Sequence, residues 1–322
     1  AVFVNNPTYY GICSNLRAIV ELAHTHGMRV LVDEAHGAHF SFGQGLPVSG
    51  MKAGADMASV SMHKSGGSLT QSSFLLMGKD VNADYVRQVV NLTQTTSASY
   101  LLLASLDISR RTLALNGKDI FEKVKGLSQY ARDEINAIGD YYAYSTEIIN
   151  GDSVYDFDAT KLSVNTYGLG LAGIEVHDLL HDEYDIQIEF GDLGNFLAYI
   201  SIGDKTKNLE RLIGALAEIR RLYRREPSAA IHHDYLAPQV VLTPQEAFYA
   251  PRKSVPLHQS VGEICCEFLM TYPPGIPILA PGERITQDIL DFIRSSKEKG
   301  CVITGPQDLE ADHINVLTRE GL

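Results

Sequence analysis

The sequence lacks several features that would place it in a specialised class of protein. It has no tryptophan, and it has no apolar run of the roughly 18 residues that a membrane span needs. Only four cysteines occur and none forms a Cys-x-x-Cys pair, so we expect reduced thiols and a cytoplasmic location. Cations are also scarce: 27 Lys and Arg stand against 39 Asp and Glu, and the net charge of −12 disfavours nucleic acid as a partner.

The remaining composition is typical of a globular protein, with 45% hydrophobic and 20% charged residues. A chain of 322 residues is long enough for about two or three domains. No signal peptide is visible. The chain starts at Ala1 and passes at once into a predicted strand over 2–4, and from this start we expect that upstream sequence is missing.

The first third of the chain alternates strand and helix patterns. Helical spacing of apolar residues follows Ser14, which we expect to be the N-cap, and further strands are predicted over 29–33, 56–61 and 73–77. Such alternation predicts an α/β fold with a mostly parallel sheet that is covered on both faces. Ligands bind beyond the carboxyl ends of parallel strands, which is where Asp33 and 61–64 lie.

The rest of the chain divides into further predicted segments. Prolines are concentrated after Pro227, where a loop-rich module is predicted. We therefore expect a large domain over 1–140, a small α+β domain over 141–227 and a C-terminal domain over 228–322. The predicted elements of this part are helices over 101–115, 120–138, 174–181 and 208–225 and strands over 161–166, 185–190 and 196–202.

The strongest candidate site combines Asp33-Glu-Ala-His36 with Ser61-Met-His-Lys64-Ser-Gly-Gly67. A lysine just past a strand, among small residues, can lose its proton and attack a carbonyl. A carboxylate that ends a neighbouring buried strand needs a positive partner, and a protonated pyridine nitrogen would be one. The pair therefore suits pyridoxal 5′-phosphate (PLP), with Lys64 on its aldehyde and Asp33 on its ring nitrogen. The alternative is that Lys64 is an ordinary loop lysine and that Asp33 is a helix cap.

Several separated motifs resemble those of one enzyme family. Tyr9-Tyr-Gly11, Val32-Asp-Glu-Ala-His-Gly37 and Ser61-Met-His-Lys64 resemble segments of the ornithine/lysine/arginine decarboxylases. Tyr272-Pro-Pro-Gly-Ile-Pro277 and Ala280-Pro-Gly-Glu283 resemble the C-terminal module of that family. The resemblance covers almost the whole chain and is strongest to the shorter bacterial members. It implies the PLP-dependent transferase-like fold (aspartate aminotransferase fold type I) and decarboxylation of arginine, lysine or ornithine to the amine and CO2, a step related to polyamine biosynthesis.

The resemblance also assigns roles to individual residues. It implies that Lys64 is the Schiff-base lysine, that Asp33 pairs with the pyridine nitrogen, and that His36 faces the active site. His63 would lie near the phosphate or the substrate carboxylate, and either His63 or Lys64 would return the proton to the α-carbon. Ser61 would contact the cofactor phosphate.

Two further roles concern the neighbouring subunit and the substrate. The stretch Thr95-Thr96-Ser97 resembles a segment that reaches the PLP phosphate of the neighbouring subunit, so the family implies a homodimer or a higher homo-oligomer. By the same analogy, Glu263 would read the distal cation of the substrate, unless it is an ordinary helix residue. The sequence does not decide which basic amino acid is the substrate.

One departure from the family pattern bears on cofactor binding. The main phosphate-binding loop of the family, and the side chain that stacks on the PLP ring, precede the first strand of this sequence. We therefore expect the chain by itself to bind PLP weakly unless another chain supplies these parts. An inactive fragment and an aminotransferase of the same fold are the alternatives, but 159–202 contains no arginine for a substrate α-carboxylate.

Two other motifs have competing interpretations. Gly168-Leu-Gly170-Leu-Ala-Gly173, with Glu189 further along, matches the pattern of a dinucleotide-binding turn. We expect instead that these glycines only turn the chain into a helix. A metal site could be drawn from Asp33, His36 and His39, but Lys64 has no place in one, and we expect no metal.

Overall fold

The computed structural model describes residues 1–227, 236–272 and 274–318. Residues 228–235, with which the predicted C-terminal domain begins, and Pro273 of the 272–277 motif lie outside these ranges. The helices are Leu16–Thr25 (α1), Gly50–Ala53 (α2), Met62–Ser65 (α3), Ala83–Thr93 (α4), Tyr100–Ile138 (α5), Gly173–Tyr184 (α6), Thr206–Tyr223 (α7), Pro244–Tyr249 (α8) and Gln287–Glu298 (α9). The strands are Val2–Asn5 (β1), Ile12–Cys13 (β2), Val30–Asp33 (β3), Met57–Val60 (β4), Phe74–Met77 (β5), Tyr142–Ala143 (β6), Asp156–Phe157 (β7), Lys161–Asn165 (β8), Phe190–Gly191 (β9), Asn195–Tyr199 (β10), Arg252–Pro256 (β11), Leu269–Tyr272 (β12), Ile276–Leu279 (β13), Val302–Thr304 (β14) and His313–Leu317 (β15).

The first sheet has the strand order β1-β3-β4-β5. Strands β1, β3 and β4 are parallel, and β5 is antiparallel to β4, so the prediction of a mostly parallel sheet is confirmed. Asp33 at the end of β3 pairs in register with Ser59 of β4. The carboxyl ends of these two strands are therefore neighbours at one edge of the sheet.

Helix α1 packs on this sheet through the apolar face that its sequence predicts. Leu16, Val20 and Ala23 are buried against a core that includes Val30 and Val32. The predicted N-cap is wrong by one residue, since the side chain of Asn15 accepts the hydrogen bond from Ala18 N at 3.2 Å. Ser14 instead donates its backbone N–H to the side chain of Asn6, at 2.8 Å.

Helix α5 is one continuous helix of 39 residues, where the sequence predicts two with an interruption over 116–119. Gly117, in that interruption, does not end the helix. A Cβ atom added there would lie 2.8 Å from the backbone oxygen of Phe42, so a glycine is needed for the close approach of another segment. The local preference of glycine for helix ends is overridden by this contact.

The chain divides into two compact units. The first comprises Ala1–Gly139, Ala143–Ser163 and Leu197–Gly214, and the second comprises Asp140–Tyr142, Val164–Phe196 and Ala215–Leu322. This division differs from the predicted domains over 1–140, 141–227 and 228–322, which remain a prediction.

The other sheets have two to four strands, and antiparallel pairing is found for β2-β7, β11-β15, β12-β13 and β12-β14. One has the order β6-β8-β10-β9, one is β13-β12-β14, and two are the pairs β11-β15 and β2-β7. The predicted strand over 185–190 is wrong, because α6 continues to Tyr184 and ends at Asp185 in a left-handed conformation (φ 53°). Only its last residue, Phe190, belongs to a strand.

The part of the second unit that follows α8 has its own apolar core. Helix α9 contributes Ile289 and Ile293, and the strands contribute Leu269, Leu279 and Val316. Within the residues that the structure describes, no helix combines the length and the apolar character that crossing a bilayer requires.

Candidate active site

Asp33 and Lys64 lie at the carboxyl edge of the first sheet. Asp33 is the last residue of β3, and its Oδ1 accepts a hydrogen bond of 3.0 Å from Ala35 N, which fixes the carboxylate in a turn. Lys64 lies in α3, the single helical turn that follows β4. Both residues are half-buried. The order of the parallel strands thus brings a carboxylate and an amine to the same edge, as the sequence predicts.

His36 is the group that directly contacts Lys64. The Lys64 Nζ atom lies 3.0 Å from His36 Nε2. The Tyr9 ring packs on the imidazole with their centroids 4.1 Å apart, and Lys64 Nζ is 5.4 Å from the centroid of the Tyr9 ring. The amine therefore sits between a nitrogen acceptor and an aromatic face.

The imidazole of His36 is held uncharged. It is 4% exposed, and burial lowers its pKa to about 2, an effect that the positive charges of Lys161 and Lys64 reinforce. An uncharged ring has one lone-pair nitrogen, so Nε2 can accept a hydrogen bond from the Lys64 amine. Its other nitrogen, Nδ1, is buried and has no hydrogen-bond partner among the residues that the structure describes.

His63 has a defined tautomer because of its neighbour. Its Nδ1 lies 2.9 Å from the backbone oxygen of Ser72. A carbonyl oxygen only accepts, so Nδ1 carries the hydrogen and Nε2 of the uncharged ring is left as an acceptor. His63 is half-buried and adjoins Lys64, which places a second proton-carrying group at the same turn.

The other predicted site residues have less specific surroundings. Ser61 is the half-buried N-cap residue of α3, but its side chain makes no capping hydrogen bond. Thr96 is exposed between α4 and α5. Glu263 belongs to the second compact unit, in a bend and not a helix, and its Oε1 accepts a hydrogen bond of 3.1 Å from Lys253 Nζ. The roles of these three residues remain predictions.

The structure adds a buried polar cluster that the sequence analysis missed. Asp158 is fully buried, and its Oδ2 lies 3.0 Å from His39 Nε2. The hydroxyl of Thr160 donates to Asp158 Oδ1 at 2.7 Å and lies 3.2 Å from His39 Nε2. The next residue, Lys161, is also fully buried, and its Nζ is 3.5 Å from the centroid of the Tyr199 ring. The signal in the sequence is a lysine at the start of the strand predicted over 161–166, in which apolar Leu162 and Val164 alternate with polar residues.

The glycines of the 168–173 motif are explained by contacts within the protein. A Cβ added at Gly173 would lie 1.8 Å from Asn195 O, and one at Gly170 would lie 2.4 Å from Arg225 O. At Gly168 the nearest atom would be Asp140 O, at 2.9 Å. The close approach of the protein's own backbone therefore accounts for a glycine at each of these three positions.

The histidines that suggested a metal site have separate partners. His36 contacts Lys64, and His39 contacts Asp158. Over residues 1–227, 236–272 and 274–318, no group of three or more His, Cys, Asp or Glu side chains is arranged to hold a metal ion.

The residues at the sheet edge fit PLP. A primary amine and a carboxylate on adjacent strands match the aldehyde and the ring nitrogen of the cofactor. The unpartnered Nδ1 of His36, buried next to that amine, is a polar atom that a bound group could satisfy.

Comparison with known proteins identifies related sequences and folds. The family profile described as "Orn/Lys/Arg decarboxylase, major domain" matches residues 1–208, and the one described as "Orn/Lys/Arg decarboxylase, C-terminal domain" matches residues 227–305. An arginine decarboxylase of Halalkalibacterium halodurans is 45% identical over 311 residues. That alignment covers 95% of this chain but 63% of the relative, so the chain spans less than two thirds of the relative's length.

Solved structures establish the fold. The crystal structure of a Francisella novicida lysine decarboxylase superposes with a TM-score of 0.78 at 21% identity, over 98% of this chain and 57% of that one. An alanine–glyoxylate aminotransferase from Nostoc superposes with a TM-score of 0.53 at 16% identity, over 67% of this chain and 60% of that one. The predicted α/β fold, that of the PLP-dependent transferases, is thereby confirmed.

Proposed function

Because the chain belongs to the Orn/Lys/Arg decarboxylase family, we propose that it carries the PLP site of an enzyme that decarboxylates a basic amino acid. The observation that carries the proposal is the position of Lys64, whose amine faces His36 at the sheet edge where Asp33 ends the adjacent strand. An acid, an amine and an uncharged imidazole are assembled there on strand ends and short turns of one sheet.

The cofactor defines what the side chains have to do. Bound PLP supplies an electron sink for the electron pair that remains when CO2 leaves the α-carbon. Asp33, held by the Ala35 N–H, would pair with the ring nitrogen and keep it protonated. Lys64 would hold the aldehyde carbon and give it up to the amino group of the substrate.

The two histidines would handle protons and orientation. His36, uncharged and next to Lys64 Nζ, would accept a hydrogen bond from that amine and so orient it. His63 Nε2, the nitrogen that Ser72 does not engage, would take up a proton and pass it to the α-carbon, with Lys64 as the alternative donor. Ser61 and, from a neighbouring subunit, Thr96 would contact the phosphate.

Arginine is the substrate that we propose first. The relative named arginine decarboxylase is 45% identical to this chain, whereas the superposed lysine decarboxylase is 21% identical. The product would then be agmatine, a polyamine precursor. Glu263 would bind the distal guanidinium of the substrate, for which a carboxylate offers two acceptor oxygens.

The proposed assembly is a homodimer. Helix α4 has no buried residue, and Tyr85, Val89 and Leu92 form an exposed apolar face at helical spacing. The start of α5 adds exposed Tyr100 and Leu101. Exposed apolar side chains of this kind mark interfaces, and in the sequence they lie on both sides of Thr96, the residue proposed to reach the neighbouring site.

The location that we propose is the cytoplasm. The four cysteines are free thiols, and Cys13, Cys265 and Cys266 are buried. Unpaired thiols are the usual state in a reducing compartment.

The activity is tested by CO2 release. Because we expect the chain alone to bind PLP weakly, it is incubated with PLP in large excess and, in separate reactions, with arginine, lysine and ornithine, beside a Lys64→Ala variant. We expect release from one of the three, with arginine fastest, and none from the variant. Activity that Lys64→Ala retains would overturn the assignment, and transamination without CO2 would replace it by an aminotransferase.

The assembly is tested separately. Leu92→Asp places a charge in the exposed apolar face, whereas Asn91→Asp places one outside that face, about 100° around α4 from Leu92. We expect sedimentation velocity to show dimers for the parent chain and for Asn91→Asp, and monomers for Leu92→Asp. Monomers throughout would contradict the proposed dimer.

A further inference from the structure

Lys161 is a buried cation that no step of the proposed reaction uses. It is the first residue of β8 and is fully buried. Its side chain packs under Gly11, where an added Cβ would lie 3.0 Å from Lys161 Cγ. Arg132 donates to its backbone oxygen at 2.8 Å, so the start of the strand is fixed. An ammonium placed here is costly unless its surroundings compensate it.

Two groups compensate the charge of Lys161. Its Nζ lies 3.5 Å from the centroid of the Tyr199 ring, within the range of a cation–π interaction. Asp158 supplies the opposite charge: burial alone would raise the pKa of that carboxyl, but His39, Lys161 and the Thr160 hydroxyl together lower it. Lys161 is thus the cation of a buried network, with Asp158 as its anion.

The network extends to His36. The centroid of the Tyr199 ring, which covers Lys161, lies 6.3 Å from that of the His36 ring. After burial, the charge of Lys161 is the largest influence that lowers the pKa of His36, ahead of Lys64. The titratable groups that face His36 are Tyr9 from the loop after β1, Lys64 from α3, His39 from its own loop, Asp158 and Lys161 at the start of β8, and Tyr199 at the end of β10.

We propose that Lys161 is a positioning residue of the candidate site: its buried ammonium, covered by the Tyr199 ring, adds to burial in opposing a proton on His36 and so helps to keep Nε2 as the acceptor for the Lys64 amine. A protonated imidazole would have no lone pair and would face Lys64 as a second cation. The use of the amine rests on the proposed function, whereas the charge state of His36 is a property of the chain without PLP.

The inference predicts what the loss of the charge does. In Lys161→Met the side chain keeps its length and apolar stem, but Asp158 and His36 no longer share the site with a cation. A proton on His36 is then still opposed by burial and by Lys64, but it becomes less unfavourable, since Asp158 attracts it and Lys161 no longer opposes it. Lys161→Arg keeps the charge and is expected to behave like the parent.

Histidine NMR measures this charge state directly. The full chain is labelled at histidine Cε1 and titrated between about pH 4 and pH 8, a range that extends below the one in which an ordinary histidine changes its charge. His36→Gln assigns the His36 signal. We expect a constant signal of uncharged His36 in the parent and in Lys161→Arg. In Lys161→Met we expect the signal to begin to move towards the acid end of this range, at a higher pH than in the parent, because burial still opposes the proton but the cation no longer does.

A matched control separates charge from packing. Thr160→Val removes the hydroxyl that bonds Asp158 and His39 in the same buried segment, yet leaves Lys161 in place. A purely structural role predicts that Thr160→Val and Lys161→Met act alike. Our inference predicts a constant His36 signal in Thr160→Val, and superimposable titrations of all the variants would overturn it.

A second variant covers the case in which Lys161→Met does not fold. Lys161→Met combined with Asp158→Asn removes both buried charges together, which proteins tolerate better than an unpaired charge. Because Lys161 affects His36 more than Asp158 does, the shift keeps its direction but is smaller. An unchanged signal overturns the inference here too. If no variant binds PLP, the proposed function fails, but the NMR comparison still decides the role of Lys161.

Discussion

Lys64 Nζ and His36 Nε2 lie 3.0 Å apart, although the two residues are 28 positions apart in the sequence. The contact arises because β3 and β4 are adjacent parallel strands and each is followed by a tight turn. His36 is buried and uncharged, so the contact pairs an amine with a neutral acceptor. The orientation of the amine therefore depends on a residue that comes from the neighbouring strand.

This relationship predicts the effect of replacing His36. His36→Phe keeps a ring against Tyr9 but removes the acceptor, and we expect decarboxylation to fall by at least about tenfold in kcat/KM, a modest loss for a misoriented catalytic group. His36→Gln keeps an acceptor and is expected to retain more activity. Equal rates for the two variants would show that the nitrogen has no role.

Because Glu34 is buried, we expect the free energy of unfolding to fall as the pH rises towards 8. Glu34 is 1% exposed, and burial raises its pKa to about 8 from an ordinary value of 4.5, although Gly50 N donates to its Oε1 at 2.9 Å. Between these values the unfolded chain releases the proton and the folded chain keeps it, so stability is lost as the pH rises towards 8. The lowered pKa of His36 makes stability rise with pH, which is the opposite effect, but only below pH 6.5, the ordinary pKa of histidine.

The window from about pH 6.5 to pH 8 therefore isolates Glu34. Over these 1.5 units we expect the free energy of unfolding to fall by up to about 2 kcal/mol, as measured by urea denaturation. Glu34→Gln keeps the acceptor oxygen for Gly50 but cannot ionise, so its unfolding free energy should be flatter over the same window. A parallel decline in both proteins would assign the effect to other groups.

Replacing a glycine of α5 by alanine is expected to lower stability at one position and to raise it at another. Gly117→Ala would bring a Cβ to 2.8 Å from Phe42 O, and we expect a destabilisation of about 1–3 kcal/mol from overpacking. At Gly126 an added Cβ meets nothing within 4 Å, so Gly126→Ala should stabilise the helix by about 0.5–1 kcal/mol. Thermal melts of the two variants check this, and a stabilised Gly117→Ala would contradict the tight contact.

The sequence predicts the parts of the site that depend on local patterns. Short apolar runs locate β3 and β4, and parallel pairing then places Asp33 and Lys64 at one edge. The same reasoning fails where distant contacts decide the structure. Glycine is a poor helix former, yet α5 continues through Gly117 because Phe42 packs against it.

The buried polar cluster could not be predicted from the sequence either, because distant contacts form it. His39 and Thr160 are 121 residues apart, and no local periodicity connects them. Lys161 is polar by type, so a pattern of hydrophobicity places it at a strand end and not in the core. Its burial follows from tertiary compensation by Asp158 and Tyr199, which only the folded chain brings together.

Covalent capture of the cofactor tests the central claim most directly. The chain is mixed with PLP, reduced with borohydride and digested, and the modified lysines are identified by mass spectrometry, with Lys64→Arg as the control. We predict that Lys64 carries the dominant label at low PLP concentration and that only weak labelling of exposed lysines remains in the control. Labelling spread over exposed lysines in both proteins, with none at Lys64, would contradict the account.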